Sequence, residues 1–168
     1  MARVDKQKRA LGGAIKRTAP SRAAVLINEL GLASGRTLDF GCGYGVDAKH
    51  FGWEAYDPYY GPFLPQGNFD TVVCLSVINA LTPNNRAMVI TTIQQMLTEK
   101  GNAYLSVPRD LPKTGKLGMH HSLQNYVVLT LPNVYRDDKL EIYHLIKQSV
   151  FKDKTKEFFS TRDKQRLR

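Results

Sequence analysis

Short apolar runs alternate with amphipathic segments through most of this chain. Apolar residues at the i, i+3, i+4 and i+7 positions, bounded by a proline and a glycine, predict a helix over residues 21–30. Thr82 and Pro83 are typical first residues of a helix, and the apolar stripe after them predicts a second helix up to Gly101. Apolar runs rich in β-branched residues predict strands. They are residues 36–40, 53–58, 69–77 and 102–107.

This order of elements predicts an α/β domain with a mostly parallel sheet and helices on both faces. Farther along, residues 125–131 and 139–147 alternate between apolar and polar positions. We expect them to form an antiparallel strand pair at the C-terminal end of the sheet, joined by residues 132–138. A short helix over the first of them is the alternative. Residues 109–122 predict a loop that is long enough to cover a substrate.

The composition is typical of one globular domain. The chain has 168 residues, 42% hydrophobic and 23% charged, which is enough to bury a core. No apolar stretch approaches the roughly 20 residues that cross a bilayer, and residues 1–9 lack the apolar segment of a secretory signal. We therefore expect a cytoplasmic protein with no membrane partner. Two cysteines, Cys42 and Cys74, are too few for a disulfide framework or a zinc site of four thiolates.

Positive charge is concentrated at the two ends of the chain. The net charge of +9 divides into +6 for residues 1–22, +5 for residues 147–168 and −2 for the residues between them. Basic ends on a near-neutral body favour contact with phosphates, and hence a nucleic-acid partner, whether DNA or RNA. The alternative is that both ends are simply solvated. We divide the chain into a basic N-terminal arm (1–19), one domain (20–148) and a basic C-terminal tail (149–168), and the sequence predicts no oligomeric state.

A glycine-rich turn follows the first predicted strand. Asp39 lies near the end of that strand, and Gly41, Gly43 and Gly45 occupy every second position after it. Glycine lets the backbone turn sharply and approach a ligand closely, so the turn predicts the floor of a nucleotide pocket. The dinucleotide fingerprint is incomplete, because Val46 stands where its third glycine would be.

A second acidic residue ends the second predicted strand. Asp57 lies 18 positions after Asp39, close to the spacing of about 20 residues at which a carboxylate binds the hydroxyls of a ribose. Asp is also a common turn residue before a proline such as Pro58, which is the alternative. The glycine turn upstream favours the ribose interpretation.

These motifs resemble those of the class I, Rossmann-like methyltransferases that use S-adenosylmethionine (SAM). The D-x-G-x-G-x-G pattern carries the resemblance, which extends over about residues 15–108. It implies SAM as cofactor, with Asp39 near the positively charged amino end of the methionine part. It also implies a Rossmann-like methyltransferase fold trimmed around its third strand, because residues 57–69 leave too little room for one. The implied cofactor contacts are Asp39, Phe40, Gly41, Cys42, Gly43, Tyr44, Gly45, Asp57, Pro58 and Ser76.

Within this class the chain is similar to the methyltransferases associated with DNA phosphorothioation and with mobile elements. The similar segments are residues 16–21, 38–47, 56–60 and 76–79. This similarity implies SAM binding and a nucleic-acid setting, and it leaves the methyl acceptor open.

Asn79, just past the third predicted strand, is the candidate that faces the methyl acceptor. Its amide oxygen can accept from an amino group whose lone pair points at the methyl carbon, although a cap or turn role is the alternative. Residues 76–81 depart from the Asn/Asp-Pro-Pro-Tyr/Phe motif of enzymes that methylate base amino groups. His120 is a second catalytic candidate, as a general base. A metal site there is disfavoured, because the adjacent His121 points elsewhere in any regular element.

The sequence therefore predicts a SAM-dependent methyltransferase that acts on nucleic acid. One alternative is a methyltransferase that acts on a small molecule or a protein. The other is a non-catalytic module that binds SAM or nucleic acid. Arg109, at the end of a predicted strand, is placed to meet either a phosphate or a surface acid.

Overall fold

The computed structural model describes residues 13–118 and 122–154. Within them the helices are α1 (Arg22–Glu29), α2 (Val46–Phe51) and α3 (Pro83–Met96), with a 3-10 turn at Ile78–Ala80. The strands are β1 (Thr37–Phe40), β2 (Glu54–Tyr56), β3 (Phe69–Leu75), β4 (Leu97–Pro108), β5 (Lys116–Leu117), β6 (Leu123–Gln124), β7 (Asn133–Arg136) and β8 (Leu140–Ile146).

Six strands form the central sheet, in the order β2-β1-β3-β4-β8-β7. Strands β2, β1, β3 and β4 are parallel to one another. Strand β8 is antiparallel to both β4 and β7. Strands β5 and β6 form a separate hairpin. The prediction of a mostly parallel sheet with an antiparallel pair at its C-terminal end is confirmed. The predicted trimming is also present, because β2 is an edge strand and residues 57–68 add no strand beside it.

Helices cover both faces of this sheet, as predicted. On one face α3 contributes Ile90 and Ile93 to a core that includes Leu38. On the other face α1 contributes Ile27 to a core with Val73. In the described residues, no helix combines the length and the apolar character that crossing a bilayer requires.

The prediction of a strand over residues 125–131 was wrong. Its alternation is a true burial pattern, because Val127, Leu129 and Leu131 are all buried in the main core. However, the backbone there pairs with residues 152–154 rather than with β8. The partner of β8 is instead β7, in the segment predicted as a link, because β7 is mostly exposed and so shows no alternation.

The predicted end of the second helix was also wrong. The helix ends at Met96, and β4 begins at once with the buried Leu97. The register then shifts, because Phe69 pairs with Leu97 whereas Thr71 pairs with Asn102. A side chain at Gly101 would come within 2.8 Å of the Phe69 carbonyl oxygen, so this glycine permits the irregular pairing and does not mark a helix end.

Candidate active site

The glycine turn lies where β1 ends and holds two neighbouring elements close. The amides of Gly41 and Cys42 both donate to the Tyr56 carbonyl of β2, at 2.7 and 3.0 Å. A Cβ on Gly41 would come within 2.5 Å of a methyl group of Val77, which follows β3. Only glycine therefore allows the turn to contact the segment after β3, and its φ of 85° also favours glycine.

Asp57 joins the end of β2 to the glycine turn. Its Oδ2 accepts from the backbone amide of Gly43 at 3.0 Å. Its Oδ1 accepts from the amides of Tyr59 and Tyr60 at 2.8 and 3.2 Å, which makes the predicted turn. Since a carboxylate oxygen has two acceptor sites, this one hydrogen bond does not use the full acceptor capacity of Oδ2.

Asp39 is a buried carboxyl among other acids. Its side chain is only 2% exposed. Burial, followed by the charge of Asp47, raises the pKa of Asp39 to about 7, and Asp57 acts in the same direction. The Arg17 guanidinium and the Ala48 amide oppose this rise. An added positive charge beside Asp39 would relieve the repulsion between these acids.

The first turn of α2 is fastened to the chain before α1. Asp47 accepts two hydrogen bonds from the Arg17 guanidinium, at 2.9 and 3.0 Å. It accepts two more from Ser21, from the amide at 2.6 Å and the hydroxyl at 2.8 Å. Burial would raise the pKa of Asp47, but these four bonds lower it below its usual value. Residues 13–20 therefore lie against the glycine turn, where Ala14 packs on Gly43.

The chain leaves β3 through an unusual backbone conformation. Ser76 has a φ of 56°, in the left-handed region that is rare for residues other than glycine. Its amide donates to both the carbonyl and the hydroxyl oxygen of Ser106 on β4. Strained backbone of this kind is held only where its surroundings fix it, and it concentrates at functional sites.

Asn79 lies in the 3-10 turn after β3 and is almost fully buried, at 2% exposure. The buried Arg86 donates to the carbonyls of Ile78 and Leu81, on either side of it. Asn125 donates twice to the Asn79 carbonyl, from its amide at 2.7 Å and its side chain at 2.9 Å. The backbone of Asn79 is therefore fixed from two sides.

The side chain of Asn79 has one partner and one open acceptor. Its Nδ2 donates to Oε1 of Gln124 at 2.6 Å, and Nε2 of Gln124 donates in turn to the Ser122 hydroxyl at 3.0 Å. The Oδ1 atom of Asn79 is buried without a hydrogen-bond partner, and no other buried side-chain atom in the described part of the chain shares that state. A buried acceptor without a hydrogen-bond partner costs about 1–3 kcal/mol, and a water molecule or a ligand group would remove that cost.

A family profile described as Methyltransferase domain matches residues 14–147. The chain belongs to this family. The match confirms the prediction of a methyltransferase domain.

Solved structures with a similar fold include other methyltransferases. One is described under the conversion of a disulfide bond into a thioacetal group during echinomycin biosynthesis. It is 21% identical, with a TM-score of 0.46, over 55% of this chain and 51% of that one. A SAM-bound amino pentose methyltransferase from Micromonospora echinaspora is 21% identical, with a TM-score of 0.38, over 49% and 47%. The magnesium protoporphyrin IX methyltransferase of Synechocystis PCC 6803, with bound SAH, is 12% identical, with a TM-score of 0.47, over 84% and 92%.

The chain thus spans about half the length of the first two of these proteins. No curated protein is significantly similar to it in sequence.

The other predicted cofactor contacts of the methyltransferase domain differ in exposure. Phe40 is buried and packs on Tyr56, so its side chain belongs to the core. Burial raises the pKa of the Cys42 thiol to about 12, which makes it an unreactive group. Tyr44 is 48% exposed and its ring lies 4.5 Å from that of Tyr60. Pro58 is exposed in the turn after Asp57.

The remaining candidates are His120 and Arg109. His120, the predicted general base, lies outside the described residues together with His121. Arg109 does not contact a surface acid, because it is only 8% exposed and its partner Glu141 is buried as well.

Sequence reasoning missed the contacts of Gln124 with Asn79 and the four bonds to Asp47. The only signal for the second set was the similarity of residues 16–21 and 38–47 to one group of methyltransferases.

Proposed function

We propose that this methyltransferase domain transfers a methyl group from SAM to nucleic acid. The observation that carries the proposal is the buried and unpartnered Oδ1 of Asn79, beside the segment that touches the glycine turn. The acceptor class is supported by charge, since the chain carries +9 overall and most of the excess lies at its ends. The similarity to methyltransferases associated with DNA phosphorothioation and mobile elements supports the same class, with DNA as the first acceptor to test.

The residues at the ends of β1 and β2 fit SAM. Burial and then the charges of Asp47 and Asp57 raise the pKa of Asp39, and the ammonium and sulfonium groups of SAM would stabilise its ionised form. The glycine turn would lie under the methionine part, and Asp57 would accept one ribose hydroxyl at the open site on Oδ2. Pro58 and Ser76 would border the adenosine part from the ends of β2 and β3.

SAM when bound supplies a methyl carbon made electrophilic by its sulfonium. The protein has to hold the acceptor on the line of attack, which orientation can favour by several of the roughly 7–11 kcal/mol available to it. Asn79 Oδ1 would accept a hydrogen from the acceptor group and so turn its lone pair toward the methyl carbon. His120 remains the candidate that would remove the proton.

Gln124 sets which end of the Asn79 amide faces the acceptor. While its Oε1 accepts from Asn79 Nδ2, the amide oxygen of Asn79 is left for the acceptor. The Ser122 hydroxyl holds Gln124 in this orientation by accepting from Nε2. Gln124 is therefore a positioning residue that acts through Asn79.

Transfer of tritiated methyl from SAM into fractionated cellular DNA, RNA, protein and small molecules tests the function. We expect label in a nucleic-acid fraction, none with Asp57→Ala, and about 100-fold less with Asn79→Ala, whose SAM binding stays normal. Asn28→Ala changes an exposed asparagine of α1 and serves as the matched control. Label confined to protein or small molecules would reject the nucleic-acid acceptor. SAM binding without label in any fraction would reject catalysis.

A further inference from the structure

A cavity lies at the same edge of the sheet as the glycine turn, but on the other side of β4. Its volume is about 200 Å³. Arg109 directly follows β4, and Arg136 is the last residue of β7. Glu141 is the second residue of β8, which runs antiparallel to β4. All three therefore lie at the carboxyl edge of the parallel strands. The cavity is lined by Arg109, Lys113, Tyr126, Val128, Arg136, Glu141 and Tyr143.

A rigid ion pair forms the inner wall of this cavity. Arg109 donates from Nε to Glu141 at 2.5 Å, from Nη1 to the Val127 carbonyl at 2.9 Å and from Nη2 to the Tyr143 hydroxyl at 2.8 Å. Its guanidinium also lies over the Tyr126 ring, 4.8 Å from the ring centre. Because Arg109 and Glu141 are both nearly fully buried, their charges compensate each other and their positions are fixed.

The outer wall is positively charged. Arg136 is 57% exposed and lies 3.7 Å from Glu141, and Lys113 comes from the loop after β4. The lining therefore carries three cationic side chains and one carboxylate, an excess of two positive charges. Pockets for whole drug-sized ligands measure roughly 300–1,000 Å³. A smaller cavity with this charge is suited to a single anionic group on a larger molecule.

The strand order gives the position of the cavity relative to the glycine turn and to Asn79, which would face the methyl acceptor. Three steps across the sheet separate β1 from β8, in the order β1-β3-β4-β8. At about 4.8 Å a step, the cavity lies about 14 Å from the glycine turn. The end of β3, which the turn with Asn79 follows, lies between them in this strand order.

We propose that this cavity binds a phosphate group of the methyl-acceptor strand. The proposal rests on the proposed function in that the acceptor is nucleic acid. Arg136 and Lys113 would contact the phosphate oxygens, and the Arg109–Glu141 pair would hold the wall behind them. The shared chemistry is that of a tetrahedral oxyanion, which a free phosphate ion or a phosphorylated small molecule also presents.

Binding of a single-stranded oligonucleotide, measured from low to moderate salt, tests the proposal without any methyl transfer. The double variant Lys113→Gln/Arg136→Gln removes the two outer charges. We expect the slope of log affinity against log salt to fall by about 0.7, as for one lost phosphate contact. The control Lys49→Gln/Lys100→Gln removes two exposed charges that do not line the cavity, and its slope should equal that of the wild type. Equal slopes for the two double variants would overturn the proposal.

A second measurement separates the source of the anion. Inorganic phosphate should shift the NMR signals of the Arg136 and Arg109 side chains in the wild type. If phosphate shifts these signals but no oligonucleotide binds, the cavity is a site for a free or small-molecule phosphate, and both the strand-phosphate proposal and the nucleic-acid function fail. If oligonucleotides bind and neither probe shifts the signals, the function stands and the cavity proposal fails.

Discussion

Asp57 Oδ2 and the backbone amide of Gly43 are joined by a hydrogen bond of 3.0 Å. This bond ties the end of β2 to the turn after β1, and so makes one rigid unit of the two strand ends expected to hold SAM. The carboxylate that would accept a ribose hydroxyl thus also shapes the turn under the methionine part. A change at Asp57 should therefore affect the whole cofactor site.

Asp57→Asn is expected to weaken SAM binding by at least tenfold. The amide can keep an oxygen toward Tyr59 and Tyr60 only by turning its NH₂ group toward the Gly43 amide, which places two donors against each other. Calorimetric titration with SAM measures the loss. Asp138→Asn, at an exposed site, is the matched control and should bind as the wild type does. Unchanged affinity in Asp57→Asn would contradict a role for this carboxylate.

SAM binding should depend on pH through Asp39, whose pKa is about 7 in the free protein. Below pH 7 the carboxyl is mostly protonated, and a cation bound beside it favours the ionised form. Affinity is therefore expected to rise with pH up to about 7 and then level off, with release of about one proton at pH 6. Titrations in buffers of different ionisation enthalpy measure that proton. Asp39→Asn should abolish both effects.

The same residue predicts a change in stability. The folded-state pKa of Asp39 lies above its unfolded value, so between about pH 4 and 7 the native state holds a proton that the unfolded chain releases. The free energy of unfolding should therefore fall as pH rises through this window. Asp39→Asn should gain stability relative to the wild type as pH rises, and the difference between the two proteins should grow by on the order of 2 kcal/mol from pH 5 to pH 8. Urea unfolding at both pH values checks this, and equal differences at both would contradict it.

Most of the sheet was predictable because buried strands appear as continuous apolar runs, as in residues 69–75 of β3. Strand β7 was not, because its exposed faces give no pattern, whereas residues 125–131 alternate without joining the sheet. The pattern of apolar side chains shows which positions are buried. It does not show which segment of backbone forms hydrogen bonds with them. Residues 125–131 pair with residues 152–154 and not with β8, and no local sequence pattern predicts which of the two segments they pair with.

The positions of the proposed cofactor residues were predictable for a different reason. Asp39, the glycine turn and Asp57 lie at the ends of adjacent strands, and spacing along the chain is enough to place them. Gln124 was not predictable, because it meets Asn79 across 45 positions of sequence. Arg17 likewise meets Asp47 across 30 positions. Contacts of this kind depend on how loops fold back over the sheet, which periodicity does not record.

Gln124 offers a test of how Asn79 is oriented. Gln124→Met removes the acceptor for Asn79 Nδ2 at similar volume, so the amide is free to turn its NH₂ group toward the methyl acceptor. We expect kcat to fall about tenfold, with SAM affinity unchanged. Gln124→Glu keeps an acceptor for Nδ2 and should restore most of the rate. If Met and Glu at this position behave alike, Gln124 does not act through Asn79.

Arg17 and Asp47 carry opposite charges, so removing each of them should shift the pH dependence of SAM binding in opposite directions. Arg17 lowers the pKa of Asp39 and Asp47 raises it. Arg17→Ala should therefore move the midpoint of the affinity profile above pH 7, and Asp47→Asn should move it below.

Both variants also lose bonds of the Asp47 cluster, so each should unfold more easily, by about 1–3 kcal/mol. Loss of stability alone would shift both profiles in the same way or not at all, which distinguishes it from an electrostatic effect on Asp39. Arg22→Ala, whose guanidinium pairs with Asp137 at the surface, removes an equal charge and should leave the midpoint where it is. Midpoints that shift in the same direction for Arg17→Ala and Asp47→Asn would show that Asp39 is not the titrating group.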